Sequence, residues 1–153
     1  MKHRIKIGDC FVIPLPDGRY AYCQYVQWNE KLGYLVRVFD RITDDLIKSV
    51  DELREAGEMF PPVFVGLRAS VKSGRWNSLG WLPVANFEFP LFRSTNTKKP
   101  GKSESWWLFD GKDERFIGSL PSELRSLEHK LVWGDELLEK RIVTGRNPYA
   151  ETY

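Results

Sequence analysis

Side chains that ionise near neutral pH or bind transition metals are scarce in this sequence. It holds two histidines, His3 and His129, and two cysteines, Cys10 and Cys23, among 153 residues. Together these four would meet the arithmetic of a tetrahedral zinc site. Their spacing gives no CxxC, no HExxH and no histidine pair one helical turn apart. Cys10 and Cys23 fall on what read as neighbouring strands, where an isolated cysteine acts as a small buried hydrophobe. No metal and no cofactor is therefore expected. Carboxylates pair at Asp44-Asp45, Asp51-Glu52 and Asp113-Glu114. Each pair sits at a turn or a helix start, where solvated acids are ordinary, so none points to general acid–base work. Glycine-rich phosphate loops and the GxSxG nucleophile motif are also missing. The chain reads as a binding protein without catalytic residues.

The chemistry that remains is recognition. Nine Phe, six Tyr and six Trp are present, and protein interfaces draw their anchors from Trp, Tyr and Arg. Arg75, Trp76 and Trp81 are expected at one end of the central hairpin, with Trp and Arg beside turns, so these three are the expected partner-binding anchors. Asp40 and the basic residues Arg93, Lys98, Lys99 and Lys102 are secondary candidates. The last four share a stretch without acids, so the rest of the chain carries a net charge of −2 although the whole carries +2. With Trp106-Trp107 close behind, that stretch also suggests a nucleic-acid contact, through phosphate pairing and base stacking. Four charges in one loop give only modest affinity at physiological salt, so nucleic acid is not the expected partner, and neither is a small-molecule substrate.

These residues must be positioned by a mixed framework. Ile5–Ile13, Arg19–Trp28 and Tyr34–Asp40 are rich in β-branched and aromatic residues and read as three strands of an antiparallel meander. Asp17-Gly18 forms the first hairpin tip. Ser49 with Glu52 makes a capping-box signature for a short helix that Gly57 should stop. From Val63 to Val71 apolar residues alternate with others. This predicts a strand that turns at Ser73-Gly74 and pairs with Trp76–Leu82, with Trp81 lying over Gly66. Val84–Phe92, broken by Pro83 and Pro90, reads as an extended covering segment. Trp106–Phe109 and Glu114–Ile117 flank an Asp110-Gly111 turn, and Ser119-Leu120-Pro121 starts a turn of helix. Lys130–Trp133 reads as a last strand, and a helix begins near Asp135 and ends at Gly145. The fold class is α+β: a twisted, mainly antiparallel sheet with two or three short helices beside it. One domain spanning residues 1–153 is expected, with a flexible basic loop at about 93–104.

The basic start Met1-Lys2-His3-Arg4 is followed by an apolar run, Cys10–Ile13, far too short for a secretory core. Nothing approaches the roughly 20 apolar residues that cross a bilayer. With so few cysteines, a soluble protein of the reducing cytoplasm is expected, with no membrane partner.

Several stretches, in order, resemble the immunity protein 26 family of bacterial polymorphic toxin systems. They are Lys6-Ile7-Gly8-Asp9 with Phe11, Ile13-Pro14-Leu15-Pro16-Asp17-Gly18-Arg19-Tyr20-Ala21-Tyr22, and Val36-Arg37-Val38-Phe39-Asp40. Phe60-Pro61-Pro62-Val63-Phe64-Val65-Gly66, Ser73-Gly74-Arg75-Trp76, Gly80 with Leu82-Pro83, Phe87-Glu88-Phe89-Pro90 and Trp107-Leu108-Phe109-Asp110-Gly111 continue the likeness. The resemblance implies an antitoxin that binds a cognate toxin domain and blocks its active site or substrate path, with no catalytic residues to carry over. The family label is sometimes coupled to phosphotriesterase activity, which makes a small hydrolase the alternative. Such hydrolysis commonly uses a histidine-rich metal site, and this chain has two histidines. A weak nucleic-acid-binding module is the second alternative. Antidotes to basic nucleases are often acidic, so a nearly neutral chain implies complementary charge confined to a patch, or a toxin that is not strongly basic.

Overall fold

Strands β1 (Asp9–Pro14), β2 (Tyr20–Asn29) and β3 (Gly33–Val38) form the expected meander, in a computed structural model that describes residues 4–96 and 104–149. Phe11 pairs with Cys23, and Cys23 in turn with Val38. The first turn needs Gly18, at φ +90°, and the Asp17 carboxylate closes it by accepting from the Arg19 backbone N–H (3.0 Å) and Nε (2.8 Å). Adjacent side chains on a strand point to opposite faces, and both faces are covered here. Cys10, Val12 and Tyr22 join Phe39, Ile47, Leu53 and Leu82 in one core cluster, while Phe11, Ile13, Ala21 and Cys23 are also buried. Each large apolar side chain so enclosed contributes about 1.5–3 kcal/mol. Tyr22 adds polar stitching: its hydroxyl pairs with Thr43 Oγ1 at 2.7 Å and accepts from the Ile47 backbone N–H at 3.1 Å.

Ser49 caps as expected, its hydroxyl accepting from the Asp51 N–H at 3.2 Å, but the helix it opens is a single 3-10 turn, Val50–Leu53. Glu52 does not close the box. Its carboxylate accepts from the Lys48 N–H and pairs with Arg41, each at 3.0 Å. Gly57 does not end a helix; its carbonyl accepts from the Asp40 N–H at 2.8 Å, and Met59 N–H donates to the Val38 carbonyl at 2.9 Å. Extending the β3 edge takes the backbone groups that a longer helix would have used.

The alternating segment after Pro62 departs most from expectation. Strand β4 (Val63–Val65) is short, and helix α1 (Leu67–Lys72) replaces the rest of the expected strand. Leu67 and Ser70, one helical turn apart, are buried while Ala69 is exposed. The period that organises this stretch is therefore helical. Strand β5 (Asn77–Trp81) does not return against β4. It pairs antiparallel with β1, placing Asp9 opposite Trp81 and Cys10 opposite Gly80.

The chain divides into two compact units, one comprising residues 1–87 and 132–145, the other residues 88–131 and 146–153. In the second, β6 (Phe92–Thr95), β7 (Trp106–Phe109), β8 (Glu114–Gly118) and β9 (Glu128–His129) form a sheet ordered β8-β7-β6-β9. The β7–β8 hairpin turns at Asp110-Gly111 as expected. Gly111 has φ +103°, and Asp110 Oδ1 accepts from the Lys112 and Asp113 N–H groups at 2.9 and 2.8 Å. The helical turn expected after Ser119 is a 3-10 turn, Ser122–Leu124. Residues 93–95, expected in a flexible loop, belong to β6.

The first unit is completed by β10 (Val132–Trp133), parallel to β4, and by α2 (Asp135–Thr144), which stops at Gly145 with φ +71°. Its six-stranded sheet has the order β10-β4-β3-β2-β1-β5. Leu138 and Ile142 share the buried face of α2. The Arg141 guanidinium lies 3.8 Å from the centre of the Phe60 ring and 5.2 Å from that of Trp133.

Candidate functional site

Arg75 and Trp76 close the turn between α1 and β5, and both are claimed by one carboxylate. Glu139 on α2 is almost fully enclosed, its side chain 4% exposed. Arg75 donates to it through two nitrogens, Nε to Oε2 at 2.8 Å and Nη2 to Oε1 at 2.9 Å. Trp76 Nε1 donates to the same Oε2 at 2.9 Å. One turn earlier on α2, Asp135 accepts from the Ser70 hydroxyl at 2.8 Å and lies 3.6 Å from Arg75 Nε. The paired acids hold the Arg75 guanidinium above its ordinary pKa. Trp76 itself is wholly buried. Expected as an exposed anchor on a hairpin, Trp76 is a core residue, because its indole N–H has a buried acceptor on α2. Arg75 keeps an open edge, but its hydrogen-bonding fork is occupied. The cluster staples α1 and the start of β5 to α2.

Trp81 is placed very differently. It is 50% exposed at the end of the edge strand β5, beside Ile7, which is 49% exposed. Its ring is not loose. Trp81 Nε1 donates to the Ile7 carbonyl at 2.9 Å. Gly8, at φ +102°, lies directly beneath it: a Cβ there would sit 2.2 Å from Trp81 Nε1. The Asp9 carboxylate accepts from the Lys6 backbone N–H at 2.9 Å and closes the same bend. Thus Lys6-Ile7-Gly8-Asp9 forms a seat for Trp81, and the glycine under the aromatic ring is Gly8 instead of the expected Gly66. A hydrogen-bonded aromatic and an aliphatic side chain thus stand half-exposed side by side at a sheet edge. Ile7 and Gly8 were not singled out as functional from sequence, although a glycine interrupting the first β-rich stretch was the available signal.

The secondary candidates scatter. Asp40 is exposed just after β3. Arg93, expected on a loop, is only 1% exposed. Its Nε donates to the Leu127 carbonyl at 3.0 Å and its guanidinium lies 5.1 Å from the centre of the Trp106 ring. Strand pairing draws this side chain into the second unit's core, and burial lowers its pKa. Lys98, Lys99 and Lys102 lie outside the described residues. Of the other aromatics, Tyr22 and Trp106 are buried, whereas Trp28 is 48% exposed and packs edge-on against Tyr34, with ring centroids 5.1 Å apart.

Of the groups weighed for catalysis, His3 lies outside the described residues, and Cys10, Cys23, His129, Asp51, Glu52 and Glu114 serve structure. Burial, reinforced by Asp9, pushes the Cys10 thiol up to about 12, and burial likewise raises Cys23, so neither supplies a thiolate near neutral pH. His129 is lowered to about 4 by burial and by nearby Arg93, against a backbone hydrogen bond at Tyr149. Asp51 pairs with Arg54 at 2.6 Å and Glu52 with Arg41 at 3.0 Å, while Glu114 pairs with Lys130. Among the described residues no cluster of three or more His, Cys, Asp or Glu could hold a metal ion. Nor is any helix among them long and apolar enough to cross a membrane.

The family model of immunity protein 26 matches residues 6–104. The chain belongs to the immunity protein 26 family. No curated protein and no solved structure matches it. The family carries a toxin-neutralising immunity function, and the match does not name the toxin. Within the matched range lie the seat of Trp81, Trp81 itself, and Arg75 with Trp76. The stretch Trp107–Gly111 and the Glu139 carboxylate lie beyond it. Trp81 with its support and exposed Trp28 thus lie inside the family segment, while exposed Phe116 lies beyond it.

Proposed function

We propose that this protein neutralises a cognate bacterial polymorphic toxin domain in the cytoplasm by binding it one-to-one, without catalysis. Trp81 and Ile7 form the centre of the contact. The observation that carries this reading is the exposed, pre-positioned Trp81, pinned by the Ile7 carbonyl and seated on Gly8. Binding energy concentrates in a few rigid aromatic anchors. A ring already fixed in place loses little further freedom on association. The open edge of Arg75 and exposed Asp40 supply charges that steer encounter more than they strengthen the complex, and Lys98, Lys99 and Lys102 are further candidates for the same role. Arg93, being buried, contributes through the second unit's core and not as a contact.

The test is binding to the toxin domain encoded beside this gene, carrying an inactivating substitution, at two salt concentrations. The expected result is nanomolar or tighter affinity, protection of cells that express active toxin, and a shallow dependence on salt. No binding at either salt concentration would remove the reading.

A further inference from the structure

A second feature of the first unit recognises a different chemistry. Gln24 and Arg37, on β2 and β3, line a cavity of about 100 Å³ whose walls include Phe39, Leu53 and Leu82. That volume is far below the roughly 300–1,000 Å³ of sites that enclose a cofactor or metabolite. It suits one side chain. Arg37 is 9% exposed. Its Nη1 donates to the Ala85 carbonyl at 3.0 Å, and its guanidinium lies 5.8 Å from the centre of the Phe87 ring. Its buried Nε–H has no hydrogen-bond partner. Glu58 Oε2 approaches that nitrogen at 3.5 Å, an ion contact whose geometry makes no hydrogen bond, and the Glu58 side chain is 37% exposed.

A buried cationic donor left unused carries its full desolvation cost. Such a group is normally satisfied by protein, by ordered water or by a bound partner. Gln24 does not serve, since its amide nitrogen donates to the Leu82 carbonyl at 2.9 Å and the Gly8 carbonyl at 3.4 Å. Arg54, also lining the cavity, is engaged with Asp51 and 54% exposed. An exposed pair of that kind exchanges partners at little cost.

We infer that this cavity receives a single acidic side chain, Asp or Glu, from the toxin domain, its methylenes against Phe39, Leu53 and Leu82 and its carboxylate on Arg37 Nε–H. Charge-assisted bonds of this type are short and strong. In the apolar surround a carboxylate is favoured over an amide, which can accept from Nε–H but brings no charge to the guanidinium, and a basic group at the same place would leave Arg37 unsatisfied. The inference rests on the proposed toxin binding for the identity of the partner, though the cavity's preference for a carboxylate can be measured without any toxin.

Two arms test it. In the first, the full chain is titrated with propionate, a mimic of the side chain, while the Arg37 Nε–Hε resonance is followed by NMR, with matched chloride and propionamide as controls. A saturable shift with propionate alone, abolished by the cavity-filling variant Ala56→Phe, is expected. A shift of equal size with chloride, or none with propionate, overturns the site. In the second arm, toxin affinity is compared between the wild type and Ala56→Phe at equal thermal stability, with Arg37→Gln as a second variant. At least a tenfold loss is expected for each. Unchanged affinity with an intact wild-type complex overturns the assignment to a toxin side chain. Failure of the wild type itself to bind counts instead against the antitoxin reading, and the propionate arm still decides the site.

Discussion

Trp76 precedes and Trp81 ends the same five-residue strand, and they have opposite fates. At one end a buried carboxylate on α2 takes both the Trp76 indole and the Arg75 fork. At the other the indole bonds a backbone carbonyl and the ring stays half-exposed. The difference shows that tryptophan and arginine beside a turn are not in themselves an interface. What decides is where the nearest buried acceptor lies. A carboxylate acceptor in the core draws these groups inward to satisfy it. A glycine seat at the sheet edge holds the ring in place while leaving it outside.

The comparison breaks most visibly at its buried end. Trp76→Ala removes a fully enclosed indole and should cost about 4 kcal/mol of stability through the cavity it leaves, read from the denaturant midpoint. Trp81→Ala in the same assay should cost less than about 1 kcal/mol. Equal losses would erase the distinction between the two ends. Next in size, Glu139→Ala should cost about 3 kcal/mol, since it strands the Trp76 N–H in the core and removes the acid that Arg75 needs. Glu139→Gln should recover part of this, because it still offers an oxygen to the indole.

The rule that a buried polar group is held by its surroundings and is not free to act extends to His129. Its folded pKa of about 4 lies below the ordinary 6.5. Between those values the unfolded chain binds the proton and the folded chain does not. Stability contributed by neutral His129 is thus intact above about pH 6.5 and is lost as pH falls toward 4, by about 3 kcal/mol. Chemical denaturation at intervals across that window should show the loss, and His129→Phe should flatten it. An unchanged profile in the variant would show that carboxylates alone set the acid limit. Smallest of all is the effect expected for Arg75→Ala on toxin binding, less than about fivefold, with the change confined to the association rate. A large loss would return Arg75 to the centre of the interface.

The meander, the Asp17-Gly18 and Asp110-Gly111 turns, and the last helix were legible because each has a local cause: strand composition, a glycine at positive φ, or a capped amphipathic pattern. The stretch Val63–Val71 was not. Its alternation fits both a strand and a six-residue helix that buries only Leu67 and Ser70, and periodicity over so few positions does not separate the two. Choosing the strand carried β5 to the wrong neighbour and Trp76 to the wrong side. Trp81 was expected from sequence to be an exposed anchor and is exposed, yet its support was not expected, since Gly8 reaches it only through the β1–β5 pairing. Glu139 was invisible for the same reason: it lies more than sixty residues from the groups it satisfies, and a glutamate on a helix reads as solvated until the helix is placed. The Arg93 misreading is local. Serine and threonine come directly after it and hide a strand whose burial comes from partners elsewhere.

The most direct test of the antitoxin account is the affinity of the Trp81→Ala variant for the inactivated toxin domain, measured beside the wild type by calorimetry at physiological salt. The account predicts a folded variant with wild-type thermal stability and an affinity at least about thirtyfold weaker, the loss expected when a rigid aromatic anchor worth about 2 kcal/mol is removed. A folded Trp81→Ala protein that binds toxin as tightly as the wild type would contradict it.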